Sequence, residues 1–300
     1  MADGHERAPV PEVPLGEVEA SVRAALESGD DTELRVLGYG EISLVIGWPT
    51  DRPVAACKRL PPFTDPAAAA RYGDRFAEYL GVLAGGGIEP VPSSFHVVAS
   101  ESATVAYVVQ PVLDPSTLGP EVMRRDHPDP SHPLVSGIIE SVLEVIDDRT
   151  GLDAQVSNWA LDDGRLRYLD VTTPMCFDAE GRPTLDIGVF LAAYPWALRG
   201  VLGRFVAPGV IGAYRDSRHV LVDFAANLLK ERLDDWVPAV VEAANARVSP
   251  TIDVDEVRRY YRSDARLWEV MLRLRRADRW WQRSVRRRPY PFLLPRRIQR

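Results

Sequence analysis

The sequence predicts an α+β fold in two lobes, a small one built on an antiparallel sheet with one helix and a large one that is mostly helical. Three observations carry this. Short strand-like runs punctuated by turn residues crowd the first 110 positions, and helical spacing dominates afterwards. Between the two regimes lies Asp153-Ala154-Gln155-Val156-Ser157-Asn158, followed by a hairpin pattern that ends at Asp170. A chain of 300 residues with 46% hydrophobic content can bury one large core or two lobes, which excludes disorder as the default.

Taken in order, residues 1–16 read as a mobile Pro-rich leader, 17–110 as the small lobe, 111–250 as the large lobe and 251–300 as a basic helical tail. Glu17 to Gly29 has helical spacing that ends at glycine. Leu37-Gly38-Tyr39-Gly40-Glu41-Ile42-Ser43 then predicts a hairpin whose small residues let backbone N–H groups approach phosphate oxygens, although any tight turn also uses glycine. Pro53 to Lys58 reads as a strand. Asp65 to Leu83 reads as a helix with Phe76, Leu80 and Leu83 on one stripe and Glu78 on an adjacent face, within reach of Lys58. Asp126 to Pro133 is a loop whose His127 and His132 have no convincing metal partner, and a helical pattern precedes Asp153.

The hairpin after Asn158 pairs Trp159-Ala160-Leu161 with Leu166-Arg167-Tyr168-Leu169 across an Asp-Gly turn and folds Asp170 back beside Asn158. Two carboxylates and an Asn so arranged suit a site that binds divalent metal and transfers a phosphoryl group: one carboxylate takes the acceptor proton, and the other two groups hold metal. The same residues also serve as turn caps and strand ends in ordinary loops. Ile187 to Tyr214 is the most apolar region. Pro195, Arg199, Arg204 and Pro208 interrupt it, so it falls short of a membrane span and reads as buried core helix. Val220 to Ala246 is mostly helical, and Val254 to Arg288 forms a long amphipathic pattern.

Two compositional biases add to the pattern. The chain holds two Lys, Lys58 and Lys230, against 34 Arg, so a surviving Lys marks a place where a compact ammonium is needed. Lys58 fits that role on its strand, whereas Lys230 reads as a solvated residue of an amphipathic helix. Residues 251–300 hold fifteen Arg against six acidic residues, a balance of +9, which leaves −16 for residues 1–250 within a net charge of −7. With Trp280, Trp281 and Arg286-Arg287-Arg288, this tail suits an acidic protein, an anionic membrane surface, a nucleic acid, or the protein's own acidic body. Cys57 and Cys176 offer neither a disulfide framework nor a metal cluster, and no secretory signal or transmembrane segment is evident, so a cytoplasmic setting is expected.

The order of glycine turn, Ala-x-Lys strand, Glu-bearing helix, Asp-x4-Asn loop, hairpin and Asp resembles the protein-kinase-like fold, in particular the small-molecule phosphotransferases of the aminoglycoside and choline kinase type, over residues 33–240. It is similar also to bacterial kinase-like proteins of unassigned substrate. The resemblance implies ATP and Mg²⁺ as cofactors and a small-molecule acceptor. It gives Gly38, Gly40 and Ser43 to the phosphate loop, Lys58 to the α- and β-phosphates with Glu78 as its ion-pair partner, and Gln110 to the adenine-facing connection. Asp153 becomes the catalytic base, and Asn158 and Asp170 the metal ligands. The chain departs from the family pattern at Gly151, where the loop usually carries His, at Ser43 in the third glycine position, and at Thr172, where Asp-Phe-Gly has its glycine. Three functions follow as expectations: an ATP- and Mg²⁺-dependent phosphotransferase acting on a hydroxylated metabolite, a catalytically silent kinase-like nucleotide-binding or scaffold module, and an α+β protein whose Asp, Asn and Lys are structural.

Overall fold

The structure, a computed structural model, describes residues 9–39, 43–99, 103–192, 194–195, 199–200, 202–203, 207–287 and 290–293. It is a mixed α and β fold in which an antiparallel sheet precedes a run of helices. Helix α1 (Leu15–Ser28) stops at Gly29, whose φ of 79° lets its N–H close on the Ala25 carbonyl. Five strands follow, β1 (Val36–Tyr39), β2 (Leu44–Trp48), β3 (Ala55–Arg59), β5 (Ser94–Ala99) and β6 (Thr104–Pro111), in the order β1-β2-β3-β6-β5, each antiparallel to its neighbour. Helix α2 (Pro66–Gly85) and the two-residue β4 (Glu89–Pro90) lie between β3 and β5. Asp65 caps α2 by accepting from the Ala68 N–H at 2.7 Å, with Pro66 at its first position.

Because side chains alternate along a strand, β3 serves two layers. Ala55 and Cys57 join Leu44, Ile46, Val105, Tyr107 and Val109 under Val18, Val22 and Leu26 of α1. On the same face Arg59 makes two bonds to buried Glu19, at 2.8 and 3.0 Å, and the Tyr107 hydroxyl donates to Glu19 at 2.6 Å. The opposite face carries Lys58 and meets α2. Val10, Val13 and Leu15 pack on the α1 layer, so the chain before α1 is part of this core from Val10 onward.

The rest of the chain builds the helical region: α3 (Gly119–Arg125), α4 (Pro133–Val145), the hairpin β7 (Trp159–Asp162) and β8 (Arg165–Tyr168), α5 (Gly188–Leu191), α6 (Ala207–Ala213), α7 (Ser217–Lys230), α8 (Val237–Asn245) and α9 (Val254–Trp280), which runs into a π turn at Trp281–Val285. The hairpin turns as expected, with positive φ at Asp163 (48°) and Gly164 (76°). Strand β8 also pairs in parallel with β4, which fixes the end of the hairpin against the loop after α2. The core is continuous, joining Tyr79 and Leu83 of α2 to Ile138, Ile139 and Val142 of α4, to Trp159 and Tyr168, and to Leu221, Phe224 and Leu228 of α7.

Two expectations change here. Ile187 to Tyr214 is not one buried helix: the described residues form short α5 and α6, most of them half-buried, in keeping with the breaks at Pro195 and Pro208. The stripe of α2 is Ala69, Tyr72, Phe76, Tyr79 and Leu83, so two tyrosines belong to its inner face and Leu80 is only partly buried.

The Glu19 carboxylate neutralises a guanidinium with almost no access to water. Glu19→Ala leaves Arg59 buried and unpaired, and should cost about 3–5 kcal/mol in urea unfolding. Arg59→Met in the same background should recover part of that loss by removing the stranded charge.

Candidate active site

Lys58 lies on β3 opposite Val45 of β2 and Val108 of β6, a central position from which its side chain leaves the face turned toward α2. Its Nζ lies 2.6 Å from Oδ1 of Asp170, two residues past the end of β8. The same Oδ1 accepts from the Thr172 hydroxyl at 2.6 Å and the Thr172 N–H at 3.3 Å. Burial pushes the Asp170 carboxyl up, but the Lys58 ammonium and the bonds from Lys58 and Thr172 outweigh that and hold it below the usual carboxylate range. Asp170 is thus ionised at neutral pH, and its second oxygen takes none of these bonds.

Asn158 is fixed beside it through the backbone. The Leu169 N–H donates to the Asn158 carbonyl at 2.8 Å, while the Asn158 amide reaches the Asp153 carbonyl at 3.3 Å. That carbonyl also accepts from the buried Tyr168 hydroxyl at 3.0 Å, and the Asp153 carboxylate receives the Gln155 N–H at 3.1 Å. Lys58 thus meets Asp170 directly, and Asn158 joins the residue before Asp170 to the Asp153 carbonyl.

Helix α7 supports the loop from beneath. Asn227 accepts the Val156 N–H at 2.9 Å and donates to Gln155 Oε1 at 3.1 Å, and Gln155 in turn donates to Asp223 Oδ2 at 3.3 Å. Asp223 is 7% exposed. Burial raises its pKa, against hydrogen bonds from Tyr260 and Gln155, and nearby Asp264 adds to the rise. Lys230, at the last position of α7, brings Nζ to 3.5 Å from Gln155 Oε1. Lys230 is exposed, as its sequence reading has it, and touches the loop only through Gln155.

At Gly151 the departure from the kinase-like pattern has a steric reason. A Cβ on Gly151 would stand 3.1 Å from the Tyr214 carbonyl oxygen and 3.3 Å from the Met175 Cβ, so a side chain there meets protein on two sides. Its carbonyl instead accepts from the Tyr79 hydroxyl at 3.0 Å, which ties α2 to the loop. Similarly, the Tyr72 hydroxyl donates to the Thr172 carbonyl at 2.6 Å and holds the segment after Asp170.

The expected Lys58–Glu78 pair does not form. Glu78 sits outside the stripe that packs α2 against the sheet and pairs with Arg75 on the surface, 2.5 Å away, while Lys58 takes Asp170. Gln110, the last but one residue of β6, donates to Ser93 Oγ and to the Leu169 carbonyl, both at 2.9 Å, next to Asp170. Gly38 sits in β1, where an added Cβ would meet nothing within 4 Å; Ser43 immediately precedes β2, and Gly40 lies outside the described residues. Burial pushes both thiols, Cys57 and Cys176, up to about 11, so neither is a nucleophile at neutral pH. His132 caps α4 through its ring and contacts Asp126 at 3.2 Å. Among the described residues no cluster of three or more His, Cys, Asp or Glu could hold a metal, and no helix is long and apolar enough to cross a membrane.

Asp223, Asn227, Tyr79 and Tyr72 have no motif that marks them in sequence; only their apolar helical neighbours place them inward. The raised pKa of Asp223 has a signed consequence. A group whose folded pKa exceeds its unfolded value contributes stability below the unfolded pKa and loses it as pH rises through the folded one. Asp223→Asn keeps an amide in the network without the charge, so its melting temperature should gain on the wild type as pH is raised from about 4 to about 8. A gap that is constant with pH would contradict this.

The chain belongs to the family described as a family of unknown function (DUF6206), whose model matches residues 17–279. No curated protein matches it. Among solved structures it is similar to the kinase domain of Mycobacterium tuberculosis PknI, at 14% identity over 80% of this chain and 85% of that one, with a TM-score of 0.31. So loose a superposition carries no argument, and the case for function rests on strand order and side chains.

Proposed function

We propose that the chain is an ATP- and Mg²⁺-dependent phosphotransferase with a two-lobed, protein-kinase-like fold, residues 17–110 forming the nucleotide lobe and 111–250 the catalytic lobe, acting on a small hydroxylated metabolite. The observation that carries the reading is the Lys58–Asp170 ion pair at the end of a hairpin whose next residue back, Leu169, is bonded to Asn158, with Asn158 bonded in turn to the Asp153 carbonyl. A structural role alone does not call for an ammonium and two carboxylates around a half-buried site, because their desolvation offsets their attraction.

The residues fit magnesium. An ionised carboxylate with one oxygen outside its protein bonds, and a neighbouring carboxamide, are hard oxygen donors of the kind that ion takes together with phosphate oxygens. When bound, the ion neutralises phosphate charge. Asp170 and Asn158 would hold it, and Lys58, now paired with Asp170, would turn to the α- and β-phosphates. Asp153 accepts the proton of the acceptor hydroxyl as its oxygen bonds to the γ-phosphorus and the bond to the β-phosphate oxygen breaks. Lys230, beside Gln155 two residues from Asp153, supplies a cation that the loop itself lacks. Buried, protonated thiols at Cys57 and Cys176 suit a reducing, cytoplasmic setting.

A catalytically silent nucleotide-binding module is the second reading. It is favoured by Glu78 pairing with Arg75 on the surface and not with Lys58, the pair that the kinase-like resemblance implies.

Millimolar ATP with Mg²⁺ at about a hundredfold its dissociation constant should stabilise the protein by about 2.7 kcal/mol, read as a rise in melting temperature. Lys58→Met and Asp170→Asn should lose that rise, and a wild type that does not respond overturns both readings. Across a panel of hydroxylated metabolites, Asp153→Asn should bind ATP yet transfer no phosphate, and Lys230→Met should slow transfer about 10²-fold while keeping the thermal response. Nucleotide binding without transfer to any acceptor would favour the silent module.

A further inference from the structure

The Arg-rich C-terminal helix has two faces with different fates. Inward, α9 buries Val257, Leu272, Arg275 and Asp278. Arg218 pairs with Glu256 at 2.7 Å near its start, Tyr260 packs edge-on to His219, and Arg275 lies 5.4 Å over the Phe292 ring. Beyond α9, Arg283 donates to the Leu26 carbonyl of α1 at 2.6 Å. The tail is thus partly docked on its own protein.

Outward, Leu267 and Val270 are 51% and 52% exposed, and Trp281 and Val285 46% and 48%. With Leu274 and Ala277 they recur at steps of three and four, one continuous stripe that runs about 21 Å from Leu267 to Trp281. Trp280 stands beside it, 63% exposed. Exposed Arg262, Arg266 and Arg273 flank the stripe, Arg273 paired with exposed Glu269 one turn before it, and exposed Arg286 and Arg287 follow, while residues 279–300 contain no Asp or Glu.

We propose that this face docks the protein on an anionic lipid bilayer, peripherally and without crossing it. Three features select that occupant. From Arg279 onward the charge is one-signed and complementary to an anionic surface, and guanidinium groups bind lipid phosphates in pairs of hydrogen bonds. Trp280 and Trp281 point about 100° apart on the helix, so they suit a flat boundary better than a narrow groove in a partner. Indole rings, moreover, favour the headgroup zone, where the apolar ring and the N–H are both satisfied. A second copy of this chain would bring like-charged arginine flanks together. The proposal does not depend on the phosphotransferase reading.

Full-length protein should co-sediment with phosphatidylcholine vesicles containing about 30% phosphatidylglycerol and not with pure phosphatidylcholine, and about 0.5 M salt should weaken binding. Tryptophan emission should shift to the blue on binding. Trp280→Ser with Trp281→Ser should weaken binding about tenfold or more, as should Arg266→Glu with Arg273→Glu, two surface changes that leave the inward contacts intact. Melting temperatures establish that each variant is folded. No binding to anionic vesicles, or equal binding by both folded double variants, overturns the proposal. So does binding to poly-glutamate or single-stranded RNA without vesicle binding, or a concentration-dependent dimer abolished by Trp281→Ser.

Discussion

An ammonium on β3 and a carboxylate past β8, 112 residues apart in sequence, meet at 2.6 Å, and the placement of nearly every other site residue follows from keeping them there. Such a pair is a poor source of stability: half-buried, each charge gives up hydration that the attraction only partly returns. Its position therefore depends on the framework around it. Lys58 is fixed by a central strand paired on both sides, and Asp170 by Thr172, by the Tyr72 bond to the next turn of chain, and by Gln110 on the preceding carbonyl. Three elements of the sheet region thus converge on a residue that belongs to the hairpin.

The Asp153 loop is held by the same logic. Its backbone polar groups are taken up from three directions: Tyr79 of α2 at Gly151, Tyr168 of β8 at Asp153, and Asn227 of α7 at Val156. A loop whose peptide groups are satisfied by neighbouring side chains has little freedom to relax, which keeps its functional side chains aimed. Asp223 carries the cost of this arrangement, a carboxyl sunk among Gln155, Tyr260 and α7 where burial resists ionisation.

What the sequence makes legible is whatever local chemistry dictates. The Asp-Gly turn sets the hairpin, the hairpin returns Asp170 to Asn158, and the scarcity of lysine singles out Lys58. The mixed architecture of sheet first and helices afterwards is legible for the same reason, because period and turn residues report it directly. Glu78 is misread because reach from Lys58 depends on how α2 rotates, and that rotation is set by Tyr72 and Tyr79, whose hydroxyls find partners in other elements. Asp223 and Asn227 are illegible for a related reason: on α7 they are ordinary polar positions until the loop lies across them.

Helix α9 touches both halves of this arrangement. Tyr260 bonds Asp223 beneath the loop, and Arg283, one turn past the helix, holds the end of α1 on the sheet region. A ligand on its outer face shifts a conformational equilibrium only if the face differs between the conformations. Most of the exposed stripe lies on α9 itself, with Trp281 and Val285 on the π turn that continues it, apart from the inward contacts at the two ends. Docking through that stripe then fixes where the protein sits without, by itself, changing what its site does. Any coupling has to pass through the inward contacts, of which the Tyr260 hydroxyl on Asp223 is the one adjacent to the loop that carries Asp153.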